Sequence, residues 1–185
     1  MGMMIKSGMD VVSFLKEQHV QVKGLFASVM AARGEERKRA FVALRRTLAV
    51  HETAEEEIVH PAAKRILPDG ETVIAARLKE ENEAKKALTE LEELDVDSVE
   101  FATKLRTLQS AVLAHAEAEE KQEFERLGAK LDTEKLERMR KAVEIAEKLA
   151  PTRPHAGVES AAANFLVGPF AAMLDRARDA LSGKS

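Results

Sequence analysis

The sequence predicts an all-α protein: an up-down-up-down four-helix bundle with additional helices toward the C-terminal end. Three observations predict it. Alanine, leucine, glutamate and lysine dominate and β-branched runs are missing, which favours helix along most of the chain. Gly and Pro cluster at a few points and cut the chain into segments of about 24 to 30 residues joined by short connections. Within each segment the apolar residues recur at helical spacing.

The elements follow in order. The first helix is expected to begin near Ser7, with Asp10 three residues on as a capping box, and to end near Arg33 and Gly34. Val11, Val12, Leu15, Val22 and Phe26 form its apolar face. The second runs over about 35–61 and continues loosely toward Leu67. Pro68, Asp69 and Gly70 make a turn in which Asp69 can cap the next helix. The third covers about 71–94, with Ile74, Leu78, Leu88 and Leu91 on its apolar side. Asp97 with Glu100 is a second capping box, and opens a fourth helix that ends at Leu127 and Gly128. A fifth helix is expected over 132–149. Residues 151–157 hold two prolines and a glycine and cannot be helical throughout. A last helix over 169–181 carries Phe170, Met173, Leu174 and Ala177. Residues 1–130 thus form the bundle, and 131–185 an extension that packs on it or serves in dimerisation, so the chain is expected as a monomer or homodimer.

The composition excludes several classes of function. The chain has 185 residues, enough for one domain with a sizeable core. Its 29 basic and 32 acidic side chains give a net charge of -3, against the basic excess of a general nucleic-acid binder. Cysteine is absent, which excludes disulfides, thiolate zinc sites, iron–sulfur clusters and a cysteine nucleophile. No apolar run is long enough for a membrane span, and the N-terminus lacks the apolar stretch of a signal peptide, so no membrane partner and a cytoplasmic location are expected.

The chemistry lies in an internal repeat. His51, Ala54, Glu55 and Glu56 are matched by His115, Ala118, Glu119 and Glu120, 64 residues on. Residues four apart share a helical face, so His51 pairs with Glu55 and His115 with Glu119. Both pairs lie on apolar stripes: Leu44, Leu48, Ala54 and Ile58 around His51, and Leu108, Val112 and Ala118 around His115. The first and third helices add His19 and Glu81, each on its own apolar stripe. The successive intervals, His19 to His51, His51 to Glu81 and Glu81 to His115, are 32, 30 and 34 residues, each one helix plus one loop, which brings all of them to one height in an antiparallel bundle. Buried carboxylates without partners are costly. A multivalent cation compensates them, and imidazole with carboxylate suits iron, manganese or zinc. Six ligands suit two ions, with Glu55 and Glu119 bridging.

Other residues carry alternatives. Glu81 lies in an acidic run that also reads as a solvated face. Glu56, Glu57 and Glu120 read as solvated or as supports behind the ligands. His60 precedes Pro61, nine residues after His51, on roughly the same side and toward the bundle end, with a structural and a functional role both open. His155 sits in the tail loop. Arg77 and Lys85 flank Glu81 and either pair with it or point outward, the outward reading being favoured.

These residues resemble the hemerythrin-like (HHE cation-binding) family, bacterial type, over about residues 8–127. The matches are a lone His19, His51 with Glu55, and His115 with Glu119. The tail, with Pro151, Arg153, Pro154 and His155 followed by residues 164–169 and Leu174, Asp175 and Arg176, also resembles the extension of bacterial members. The resemblance departs in the third helix, where the family's His position holds Glu81 in the register fixed by Leu88. The further His of true oxygen carriers is replaced by Arg77. The resemblance implies a non-haem di-iron centre, two irons bridged by oxo or hydroxo, held by His19, His51, Glu55, Glu81, His115 and Glu119. It implies a small oxidant as partner (dioxygen, peroxide or nitric oxide), reacted with or sensed, with catalase-like or oxidase turnover open. The alternative is iron handling, or a metal-dependent signalling module without turnover.

Overall fold

The computed structural model describes residues 9–150; the expected breaks at 151–157, the helix over 169–181 and His155 lie outside them. Among the described residues there are five helices and no strand. α1 is Val11–Ala31. α2 spans residues 34–66 as Gly34–Ala54, a π-helical turn at Glu55–Val59, and His60–Ile66. α3 is Gly70–Glu92. α4 spans 99–130 as Val99–Glu119, a second π-helical turn at Glu120–Phe124, and Glu125–Lys130. α5 is Thr133–Leu149. α1 lies beside α2 and α4, α3 beside α4 and the end of α2, and α5 against α1 and α2. No helix of the described residues is long and apolar enough to cross a membrane.

The ends show why the helices start where they do. Asp10 is itself the N-cap of α1, its carboxylate accepting from Ser13 N at 2.8 Å, rather than a partner three residues inside the helix. Ser98, not Asp97, caps α4: its hydroxyl accepts from Phe101 N at 3.0 Å. Asp97 instead accepts from Gly34 N at 2.9 Å. Gly34 holds φ at 53°, the left-handed region that glycine enters without strain, and so turns the chain from α1 into α2 as expected. Asp69 makes no capping bond; its carboxylate pairs with Arg126 of α4. Gly128 does not end α4, which continues through Lys130. Buried Arg37 donates to the carbonyls of Val29 at 3.1 Å and Val96 at 2.9 Å, tying α1, α2 and the α3–α4 connection together.

Two apolar clusters fill the interior. One joins Leu15, Ile58, Val73, Phe124 and Leu127 to Leu136, Met139 and Val143 of α5. The other joins Val22, Phe26, Leu44, Leu48, Leu88, Phe101 and Leu108. Between them lies a polar layer, which is where the repeated histidines and glutamates fall.

Leu88→Ala, at a fully buried position, is expected to cost about 2–5 kcal/mol of folding free energy. Gly70→Ala is also expected to destabilise, because a Cβ there would stand 2.6 Å from the Ala63 carbonyl oxygen. Chemical denaturation followed by helical circular dichroism checks both, with exposed Lys86→Ala as a control expected to change little.

Candidate metal centre

Side chains from four helices face one another in the polar layer. His19 comes from α1, His51 and Glu55 from α2, Glu81 from α3, and His115 and Glu119 from α4. One ligand atom from each of His19, His51, Glu55 and Glu119 falls within 4.8 Å of the others, and so it does for Glu81, His115 and Glu119. Glu119 belongs to both groups. All six residues named from the sequence are therefore brought together, and Glu81 is buried rather than on a solvated face.

The imidazoles share one arrangement. Nδ1 of His51 donates to Gln18 Oε1 at 2.8 Å, that of His19 to Glu120 at 2.9 Å, and that of His115 to Glu80 at 2.8 Å. Each ring thereby turns Nε2 to the centre: 3.3 Å from Glu55 for His51, and 3.4 and 3.2 Å from Glu119 for His19 and His115. A bond at the outer nitrogen fixes tautomer and ring orientation, as metal-ligating histidines require. Gln18 is in turn held by Glu147 of α5 at 2.5 Å, so the fifth helix reaches the centre through one side chain. The reading of Glu120 as a support behind a ligand describes its place. Arg77 and Lys85 do not point outward: both are buried, Arg77 bonding Glu80 at 2.9 Å and Lys85 pairing with Glu56.

Charge is poorly compensated by protein donors. Both carboxylate oxygens of Glu55 and of Glu119, Oε2 of Glu81, and Nε2 of His19 and His115 are buried with no hydrogen-bond partner among the described residues. Burial, and then the Glu119 charge, push the Glu55 carboxyl well above its usual range. Burial opposes ionisation of Glu119 too, but the His115 charge and the close imidazoles of His115 and His19 outweigh it and hold Glu119 well below. Burial and the neighbouring imidazole charges push His51 down to about 3, leaving it neutral. Burial disfavours charge on His115, yet Glu119 and Glu80 hold it well above the usual histidine value. A set of imidazoles and unpaired carboxylates, without thiolate, fits one or two multivalent cations of the iron, manganese or zinc kind.

Of two further residues in this layer, sequence reasoning left His60 open, on the right side but too near the bundle end, and missed Glu123. His60 is not at the bundle end: it is 2% exposed, with Nε2 at 2.6 Å from Glu81 and Nδ1 at 2.9 Å from Glu123. Nine residues of plain α-helix would carry it to about the opposite side from His51, at roughly 100° per residue. The π-turn over Glu55–Val59 absorbs one residue, and the His60 N–H bonds the Glu55 carbonyl, so His60 stacks beyond Glu55 on the inner face. Glu123 follows Glu119 by four residues, a spacing that could have marked it. A cavity of about 500 Å³ opens between α3 and α4, with Ala84, Leu108 and Val112 on its walls and Glu52, Glu81 and His115 reaching it. Glu52 is buried there; burial and then Glu81 push its carboxyl up to about 8.

The comparisons with known proteins agree with this architecture. A family model described as the hemerythrin HHE cation binding domain matches residues 10–127. A hemerythrin HHE cation binding domain-containing protein of solved structure from Mycobacterium kansasii has TM-score 0.66 and 21% identity, over 91% of this chain and 99% of that one. A DNA nickase from Nostoc sp. is 24% identical over 133 residues, 71% of this chain; the chain spans 37% of that relative's length.

Metal uptake should depend on pH with a defined sign. Glu55 and His115 hold protons above their ordinary pKa in the metal-free cluster, and a ligand must lose its proton. Affinity is therefore expected to rise with pH and to fall on acidification, with proton release on binding. Calorimetric metal titration in two buffers of different ionisation heat checks it; no proton release would contradict it.

Proposed function

Because the chain belongs to the hemerythrin HHE cation-binding domain family, we propose that it is a non-haem di-iron protein that reacts with or senses a small oxidant: dioxygen, peroxide or nitric oxide. One observation carries this reading, the set of buried carboxylates and inward imidazole nitrogens left without hydrogen-bond partners among the described residues. Glu55 and Glu119 would bridge the two ions, with His19 and His51 on one and Glu81 and His115 on the other. Bound iron supplies electrons and an open position for the oxidant.

The chain's own residues supply the rest. Gln18, Glu120 and Glu80 lock the three imidazoles at Nδ1. The two apolar clusters exclude water above and below. The cleft between α3 and α4 gives a small molecule a route to the His115 side, and Glu52, at about 8, can hold a proton there. A centre rich in carboxylate favours the oxidised state of iron, which supports oxidation or sensing over reversible oxygen carriage. A nucleic-acid role like that named for the Nostoc relative is not favoured, since the net charge of -3 lacks the basic excess that phosphate contacts need.

The test is iron content per chain with the absorption spectrum of the same sample, purified in air. With no Trp or Tyr, bands of a bridged ferric pair stand clear. About two irons per chain are expected, on the pattern of di-iron helix bundles. Glu55→Ala and Glu119→Ala should each reduce the content sharply. Unchanged content in both would sink the assignment. Iron-dependent loss of peroxide separates turnover from sensing.

A further inference from the structure

We propose that His60 is a fourth histidine ligand of the centre, supplying the imidazole that α3 lacks at Glu81, with Glu123 as the carboxylate that orients it; this rests on the di-iron reading above. At Nδ1 His60 carries the same device as the other three, while its Nε2, unlike those of His19 and His115, already meets a carboxylate at hydrogen-bond distance. Its Nδ1 donates to a buried side-chain oxygen, that of Glu123 at 2.9 Å, and its Nε2 faces inward, toward Glu81 at 2.6 Å. The four outer bonds, to Gln18, Glu120, Glu80 and Glu123, span only 2.8–2.9 Å.

The donor count points the same way. The first group offers two imidazoles, His19 and His51, whereas the group of Glu81, His115 and Glu119 offers one. His60 also groups with Glu119 and Glu123, and lies against Glu81. Adding it gives each half of the centre two imidazoles.

A purely structural ion pair explains less. His60, Glu81 and Glu123 are all at most 2% exposed. Oε2 of both glutamates lacks a hydrogen-bond partner among the described residues. A buried pair compensates its own desolvation only when the remaining lone pairs are satisfied, and here they are not. The backbone is consistent with this, since α2 gives up regular geometry at Glu55–Val59. Such turns recur at functional sites, and this one brings His60 round to the face of Glu55.

The decisive experiment uses the intact wild-type chain. After iron loading and half-reduction, with isotope-labelled histidine, pulsed electron paramagnetic resonance counts the coordinated imidazoles. Four support the proposal; three, with both irons bound, overturn it and leave the di-iron reading standing. No iron at all overturns that reading first, and this one with it. Variants add a second line. His60→Ala should lose or weaken one iron, and added imidazole should restore it, which a packing role would not do. Glu123→Gln should keep both irons but weaken one about 10- to 100-fold, as loss of an orienting partner does. Two irons at wild-type affinity and spectrum in His60→Ala would also overturn it.

Discussion

The structure depends on one constraint: carboxylates must be held in the middle of an apolar bundle. Glu55, Glu119 and Glu123 are 0% exposed, between one cluster built on Phe124 and α5 and another built on Phe26 and Leu88. A buried carboxylate without a partner costs several kcal/mol or takes up a proton. Like charges at close range cannot all ionise, so in the metal-free cluster Glu55 is pushed up while Glu119 is held down by His115 and His19. A cation removes the conflict at a stroke. The layer is therefore a poor core and a good ligand set, and the flanking clusters must supply the stability that it does not.

The surrounding polar residues make sense as a consequence. An imidazole free to flip would present the wrong nitrogen, so each has an acceptor behind it. Arg77 and Lys85, on either side of Glu81 along α3, are buried against Glu80 and Glu56. They place positive charge at the edge of the layer without entering it. Glu80 serves twice, bonding both Arg77 and His115. Burial, and then the neighbouring Glu81 carboxylate, raise Glu56 to about 7, so the edge can also store protons.

How much of this is legible in the sequence depends on which periodicity applies. The bundle and the six grouped residues come from ordinary α-helical arithmetic. His51, His115 and Glu119 lie in regular helix and Glu55 only opens the π-turn, so the spacing of four still pairs them, and the intervals between helices set their common height. His60 is illegible by the same arithmetic, because a π-turn changes the count by one residue and nothing local in Glu55, Glu56 and Glu57 announces it. Glu123 hides in a charged stretch where a solvated face is the simpler reading. Arg77 and Lys85 look solvated for the same reason: a cation reads as exposed until its buried partner on another helix is known. The caps fail by smaller margins, with Ser98 in place of Asp97, since either side chain can accept an amide bond at a helix start.

The centre is also unequal on its two sides, and this bears on how it would work. His19 stacks on Phe124 at 5.6 Å and meets His51 edge-on at 5.0 Å, so that side is closed by aromatic rings. It is further braced from α5, where Glu147 holds Gln18 and Gln18 holds His51. His115 has no such cover: it reaches the cleft between α3 and α4, whose inner end is Glu52 and Glu81. In the proposed reading a small oxidant therefore arrives at the His115 side, next to the carboxylates. The fifth helix lies beyond the matched family segment at residue 127, yet it stiffens the sealed half. In that reading the bracing lies on the closed side, where α5 packs against α1 and α2.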